Sequence, residues 1–188
     1  TMMNILAGTR LDYKGKVTYF EGGMKEAQIR EAIGYTSATS YFMPHWTIKD
    51  VGEVSELLFD GFHKEKYKQL CAELNIEKEN KSISNLSDGM RMKAALVAVF
   101  ARDTKCLLLD EPASPLDPLM RDKLCNMLRE YLDEGNGEKS VFFSTHNIAD
   151  MENVTDYCVI MEQGQVVEQG FVEDLKEKYV LVKGEASD

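Results

Sequence analysis

The strongest constraint on the fold is an alternation of two short apolar segments with a longer amphipathic one between residues 106 and 144. Residues 106–109 and 141–144 are predicted strands, and residues 119–132 carry apolar side chains at helical spacing. Strands that alternate with helices in this way are typical of a parallel sheet. A chain of 188 residues that is 44% hydrophobic can bury the core of one such domain. The sequence therefore predicts a compact α/β fold.

Further predicted elements surround this unit. Apolar spacing predicts a short opening helix that ends at Gly8, a helical insertion over residues 48–74 with a break near Gly61, and a helix after residues 87–89. Strands are predicted at residues 15–20 and 33–36 with a turn at Gly22-Gly23, followed much later by a hairpin of residues 157–161 and 165–168 and a helix at residues 173–178.

Two carboxylates follow directly after an aliphatic strand. Leu107, Leu108 and Leu109 lead into Asp110 and Glu111, which places both acids at the carboxyl end of a buried strand. Ligands bind at this edge of open parallel sheets. In phosphoryl transfer, an aspartate there holds the magnesium of the nucleotide, and an adjacent glutamate orients or deprotonates the attacking water. The alternative is a strand end followed by a helix-capping turn, which is common for an aliphatic run that ends in an acid.

Two other positions have a functional and a purely structural interpretation. Ser87 and Gly89 precede a predicted helix, whose free N–H groups suit a phosphate, although a serine or aspartate there is also an ordinary N-cap. His146 follows the strand that ends at residue 144, so it lies at the same sheet edge as Asp110. A histidine there can donate a hydrogen bond to a terminal phosphate, whereas most isolated histidines are structural.

The ordered set of motifs resembles that of the ABC ATPases over essentially the whole chain. Its members are Ser87-Asp88-Gly89-Met90 (signature motif), Leu109-Asp110-Glu111-Pro112 (Walker B with the catalytic glutamate), Ser114-Pro115-Leu116-Asp117 (D-loop) and Ser144-Thr145-His146 (switch histidine). The resemblance implies a P-loop NTPase (RecA-like) parallel-sheet core over residues 1–38 and 102–188. It also implies an ABC-type helical subdomain over residues 39–101.

The resemblance implies a role for each of these residues. Asp110 would bind Mg²⁺ through water, Glu111 would polarise the attacking water, and His146 would contact the γ-phosphate of ATP. Family members work as head-to-tail pairs, so the signature residues Ser87 and Gly89 would complete the ATP site of a second ABC ATPase subunit. Asp117 would couple the two sites.

Three features differ from the family pattern. Asp88 stands where glycine is usual, and we expect its carboxylate to face solvent or Arg91 rather than a phosphate. Ala38 occupies the position of the Q-loop glutamine, so Ser37, Thr39 or water alone would serve the metal there.

The third difference is at the start of the chain. The phosphate-binding loop and the strands before it are absent, and Thr1 resembles the nucleotide-binding threonine that follows the Walker A lysine and Ser/Thr. We therefore expect the chain in this form to bind nucleotide weakly and to be inactive.

The function that these features predict is an ATPase subunit of a bacterial ABC transporter, most similar to the exporter type. It would attach to the cytoplasmic face of the membrane through a transmembrane permease subunit. The region that would contact this partner contains Tyr41, Phe42, Met43, Pro44 and Trp46, and the alternative for some of them is a small satellite core. The net charge of −10 and the lack of a long basic run argue against nucleic acid as a partner. The alternatives are a soluble ABC ATPase acting on ribosomes or DNA and a non-catalytic regulatory module, which the presence of Glu111 and His146 disfavours.

Overall fold

The computed structural model describes residues 2–37, 41–76 and 80–178. Three parallel strands, β1 (Ile33–Thr36), β2 (Cys106–Asp110) and β3 (Ser140–Ser144), form a sheet in the order β1-β2-β3. Gly34 pairs with Leu107 and Leu107 with Val141, so the carboxyl ends of all three strands share one edge. The predicted α/β fold with a parallel sheet is confirmed. Thr1 and Ala38 lie outside the described residues.

The helices of the described residues agree with the predicted insertion and crossover. Their bounds are α1 Met2–Leu6, α2 Glu26–Ala32, α3 Ile48–Leu58, α4 Lys64–Glu73, α5 Asp88–Phe100, α6 Pro118–Glu134 and α7 Val172–Lys178. Short 3₁₀ turns lie at Ile83–Asn85, Ile148–Asp150 and Glu152–Val154. A separate antiparallel hairpin is formed by β4 (Tyr157–Glu162) and β5 (Gln165–Phe171).

The segment before α2 differs from the prediction. Residues 15–20 do not form a strand, because no other strand in the described part of the chain lies alongside to complete a ladder. The segment is instead held by Tyr19, whose hydroxyl donates to the carbonyl of Leu6 at 2.9 Å. The helix α2 that follows was not predicted, since its seven residues are too few for a clear apolar period.

Close packing of α5 against the sheet forms the centre of the core. Eight residues of α5 are buried, among them Leu96 and Val99. Gly34 of β1 faces this helix, and a Cβ atom built there would lie 2.7 Å from Leu107 Cδ2 and 3.2 Å from Val99 Cβ. Only glycine fits at this point, so the helix and the sheet approach each other closely.

The helical insertion begins with a well-formed cap. The hydroxyl of Thr47 accepts the backbone N–H of Asp50 at 3.3 Å, and an Asp50 carboxylate oxygen accepts the backbone N–H of Thr47 at 2.8 Å. Tyr67 of α4 packs against Gly52 of α3 and donates its hydroxyl hydrogen to the carbonyl of Ile48 at 2.7 Å. These contacts join α3 and α4 into one unit that packs on α5. None of the helices in the described ranges is long and apolar enough to cross a membrane.

Candidate functional site

Asp110 and Ser144 lie opposite each other at the carboxyl ends of β2 and β3. The parallel register pairs these two residues directly, and Ser144 Oγ donates a hydrogen bond to Asp110 Oδ1 at 2.6 Å. A carboxylate accepts more than one hydrogen bond or ligand, so the second oxygen of Asp110 stays available. The serine thereby orients the carboxylate that the sequence singled out for magnesium.

Glu111 has an unusual backbone conformation at the end of β2. Its φ is +52°, in the left-handed region, which costs a residue other than glycine about 1–3 kcal/mol. Two hydrogen bonds hold it there, because its N–H is shared between the carbonyl oxygen of Ser144 at 3.2 Å and Ser144 Oγ at 3.1 Å. Strained residues of this kind cluster at functional sites. The turn directs the Glu111 side chain towards the loop that follows β3.

Glu111 and His146 form a pair in this loop. His146 Nδ1 lies 2.8 Å from Glu111 Oε2. A carboxylate accepts hydrogen bonds, so Nδ1 carries the proton and donates it to Glu111. The carboxylate side chain is 28% exposed and the imidazole 72% exposed, so the other imidazole nitrogen is accessible to a ligand. The structure thus brings together Asp110, Glu111 and His146, as predicted from the strand ends.

The residues at the start of α5 form a second group. Ser87 is the N-cap of α5, and its exposed hydroxyl accepts the N–H of Met90 at 3.3 Å. A Cβ atom on Gly89 would lie 2.9 Å from the carbonyl oxygen of Pro115, so this glycine lies directly against residues 114–117. Arg91 pairs with Asp88, whose side chain is 81% exposed, and this confirms the expected orientation of Asp88. The N-cap interpretation of Ser87 is therefore correct, and it leaves the serine accessible to a partner.

Asp117 is also a helix cap. Its carboxylate accepts the N–H of Met120 at 3.0 Å at the start of α6, and Pro118 occupies the first turn. Among the described residues, no hydrogen bond joins Ser87, Gly89 or Asp117 to the cluster around Asp110. The predicted residues of the described part of the chain therefore form one hydrogen-bonded cluster at the sheet edge and two helix starts that make no hydrogen bond to it.

The sequence predicts no role for three residues of this region, Ser144, Arg121 and Asp150. Ser144 organises both acids, and its position opposite Asp110 could have been found by aligning the ends of the two predicted strands. Arg121 and Asp150 form an ion pair at 2.7 Å. No local pattern links these two residues, because 29 positions separate them along the chain.

Comparison with known proteins identifies the family. A family model described as "ABC transporter" matches residues 1–114. The chain belongs to the ABC transporter family. A relative in Bacillus subtilis, the uncharacterised ABC transporter ATP-binding protein YxlF, is 30% identical over 95% of this chain and 59% of its own length. A probable sulfate/thiosulfate import ATP-binding protein from Chlorella vulgaris is 28% identical over 94% of this chain and 76% of its own.

Solved structures show the same fold. The dimeric post-hydrolysis state of an ATP-binding cassette bound to ADP and Pi matches 91% of this chain and 79% of its own, with a TM-score of 0.74 at 19% identity. The α/β architecture is therefore that of an ABC ATPase domain. The chain spans about half to three-fifths of the length of the first curated relatives, with values of 49%, 59% and 53%.

Proposed function

We propose that this ABC family member is the ATP-binding and ATP-hydrolysing subunit of a bacterial transporter, in its full-length form. The observation that carries the proposal is the 2.8 Å pair between Glu111 and His146, beside the Ser144-bound carboxylate of Asp110. All of these groups lie at the carboxyl edge of a parallel sheet, where α/β proteins bind ligands. An acid, a base and a metal-binding carboxylate at one edge are what the hydrolysis of a phosphoanhydride requires.

Each side chain has a distinct role in this proposal. Asp110 has an oxygen available for Mg²⁺, and Mg²⁺ typically binds one or two carboxylates together with water and substrate phosphates. The bound cation would neutralise charge on the β- and γ-phosphates of ATP. Glu111 orients the attacking water and accepts its proton. His146 already donates from Nδ1 to Glu111, so a simultaneous bond from Nε2 to a phosphate oxygen requires the imidazolium form, which donates from both nitrogens.

Among the described residues, no hydrogen bond joins the two helix starts to this cluster, and this supports a head-to-tail pair of subunits. Ser87 is exposed at the amino end of a 13-residue helix, where the free N–H groups favour an anion. Ser87 and Gly89 would therefore bind the nucleotide of the second subunit, and Asp117 would couple the two sites. The dimeric cassette with ADP and Pi, which has the same fold, is consistent with such an assembly.

The region around residue 41 is proposed to contact a transmembrane permease subunit. Phe42 and Trp46 pack against the hydrophobic core, whereas Tyr41 and Met43 are 50% and 53% exposed. Exposed aromatic and methionine side chains that lie next to side chains fixed in the core are suited to bind a protein partner. In this proposal the subunit is peripheral at the cytoplasmic face, and residues 39–101 are the helical subdomain that moves against the core. The proposal that the transporter is an exporter rests on its motifs and its short helical insertion, which resemble those of exporter subunits. Transport assays would test the direction of transport.

Replacement of Glu111 tests the proposed hydrolysis. Glu111→Gln in the full-length subunit keeps the side-chain shape but removes the base, so we expect turnover to fall by roughly two orders of magnitude or more. ATP binding should persist, and a closed dimer should accumulate in size-exclusion chromatography with Mg-ATP. Glu130→Gln, at an exposed position on α6, is the matched control and should hydrolyse ATP like the wild type. Hydrolysis by Glu111→Gln within a few-fold of the wild type would remove Glu111 from the catalytic role.

A further inference from the structure

Arg121 in the second turn of α6 binds two separate segments at once. Its Nε donates to the carbonyl oxygens of Leu116 at 2.9 Å and Ala113 at 3.2 Å. Its Nη1 donates to the Asp150 carboxylate at 2.7 Å. One edge of the guanidinium is thus hydrogen-bonded to the segment that follows Glu111. Another edge is hydrogen-bonded to the segment that follows His146. A planar fork with several donors is needed for this, and among side chains only arginine provides it.

The Asp150 end of this contact is fixed in the protein. The Asp150 side chain is only 15% exposed, the lowest value of any acid in the ion pairs of the described residues, and that of Arg121 is 28% exposed. The backbone carbonyl of Asp150 also accepts a weak hydrogen bond from Cys125 Sγ at 3.7 Å, and the next residue, Met151, is 1% exposed in the core. Asp150 is therefore held in a fixed position by its burial and its hydrogen bonds.

These contacts limit the movement of the loop that carries His146. The loop starts at Ser144, which is held by Asp110, and it returns to the core at Asp150, which is held by Arg121. His146 is 72% exposed between these two points and contacts Glu111. On the other side, Ala113 lies two residues after Glu111. Arg121 consequently bonds to both segments whose side chains must meet in the Glu111–His146 pair.

Few side chains pack against the solvent-facing side of the Arg121–Asp150 ion pair. Arg121, Asp122, Cys125, Arg129 and Asn153 line an open crevice of about 510 Å³ between α6 and the two 3₁₀ turns. Because solvent borders the guanidinium there, its hydrogen bonds rather than close-packed side chains set the distance between residues 113–116 and Asp150. Loss of the arginine would leave the Asp150 carboxylate without its charged partner as well.

We propose that Arg121 is a positioning residue for ATP hydrolysis, which sets the geometry of the Glu111–His146 pair by clamping residues 113–116 to Asp150. Arg121 does not touch the reacting atoms. The predicted effect of Arg121 on turnover rests on the proposed function. Its predicted effect on the mobility of the two segments does not depend on ATP hydrolysis.

Steady-state ATPase assays of the full-length subunit test the clamp. In Arg121→Met we expect kcat to fall about tenfold to a hundredfold, the scale for a misplacement of about 1 Å at a catalytic group, with the KM for ATP within about twofold of the wild type. Arg121→Lys keeps the charge for Asp150 but has no fork for the carbonyls, so its kcat should be intermediate. Arg129→Met is the matched control. It removes an arginine from the same helix and crevice that bonds Asn126 and Asn153 instead, and its kcat should match the wild type.

A double variant separates positioning from a general loss of stability. In a His146→Ala background the pair no longer exists, so adding Arg121→Met should lower kcat by less than about twofold further. A full additional loss in that background would overturn the positioning role, as would wild-type kcat in Arg121→Met.

Hydrogen exchange of the full-length subunit provides a readout that is independent of hydrolysis. Amides of residues 145–149 should exchange at least about tenfold faster in Arg121→Met than in the wild type or Arg129→Met, because local opening becomes easier. Unchanged exchange would refute the clamp itself. If the wild-type full-length subunit does not hydrolyse Mg-ATP, the proposed function fails, while the exchange result still decides whether Arg121 restrains the loop.

Discussion

The hydroxyl of Ser144 offers the sharpest test of how the site is assembled. In Ser144→Ala, Asp110 loses a hydrogen bond of 2.6 Å to its carboxylate, and bonds to a charged group contribute about 1.5–3 kcal/mol. The N–H of Glu111 loses less, because it keeps the carbonyl oxygen of residue 144 at 3.2 Å. We therefore expect the free energy of unfolding to fall by about 1.5–3 kcal/mol. For a domain of about 150–250 residues this corresponds to a Tm lower by about 3–12 °C.

Urea and thermal unfolding of the full-length subunit measure this loss. Ser140→Ala is the matched control, since Ser140 begins the same strand at the opposite end of the sheet and is exposed. It should change the free energy of unfolding by no more than about 0.5 kcal/mol. If Ser144→Ala were as stable as Ser140→Ala, the hydroxyl would not be holding the carboxylate of Asp110, and Ser144 would not organise the ends of β2 and β3.

Ser87→Arg is expected to abolish ATP hydrolysis while leaving the melting temperature and the ATP affinity of the isolated monomer unchanged, because in the proposed head-to-tail pair Ser87 would serve the opposing subunit. Weaker ATP binding by the monomer at unchanged stability would contradict that assignment. Glu111→Gly should be more stable than Glu111→Ala by about 1 kcal/mol in urea unfolding, since glycine adopts a φ of +52° without strain, and equal stability would show that this backbone is unstrained. In calorimetric titrations, a polypeptide of residues 1–188 should bind Mg-ATP weakly and a form extended at the N-terminus to include a phosphate-binding loop should bind it well. Equal affinities would mean that residues 1–188 hold the phosphates themselves.

Much of the fold was predictable because its signals are local. The aliphatic run that ends in Asp110, the amphipathic segment from Pro118 and the apolar strand before His146 each have a period or composition that needs no knowledge of distant residues. The parallel arrangement follows from their order, and with it the meeting of Asp110, Glu111 and His146 at one edge. The prediction failed at residues 15–20, where strand-like residues have no neighbouring strand, because a strand is stabilised only by pairing.

Local sequence is enough to nominate the acids, the histidine and the helix starts of the candidate site, since each is the end of a locally encoded element. How these ends are held together depends on tertiary contacts. The left-handed backbone of Glu111, its bond to Ser144 and the clamp of Arg121 on Asp150 all depend on residues 29 to 33 positions apart along the chain. Such contacts leave no periodic trace in sequence, because their distances are set by the packing of β2, β3 and α6 rather than by the residues in between.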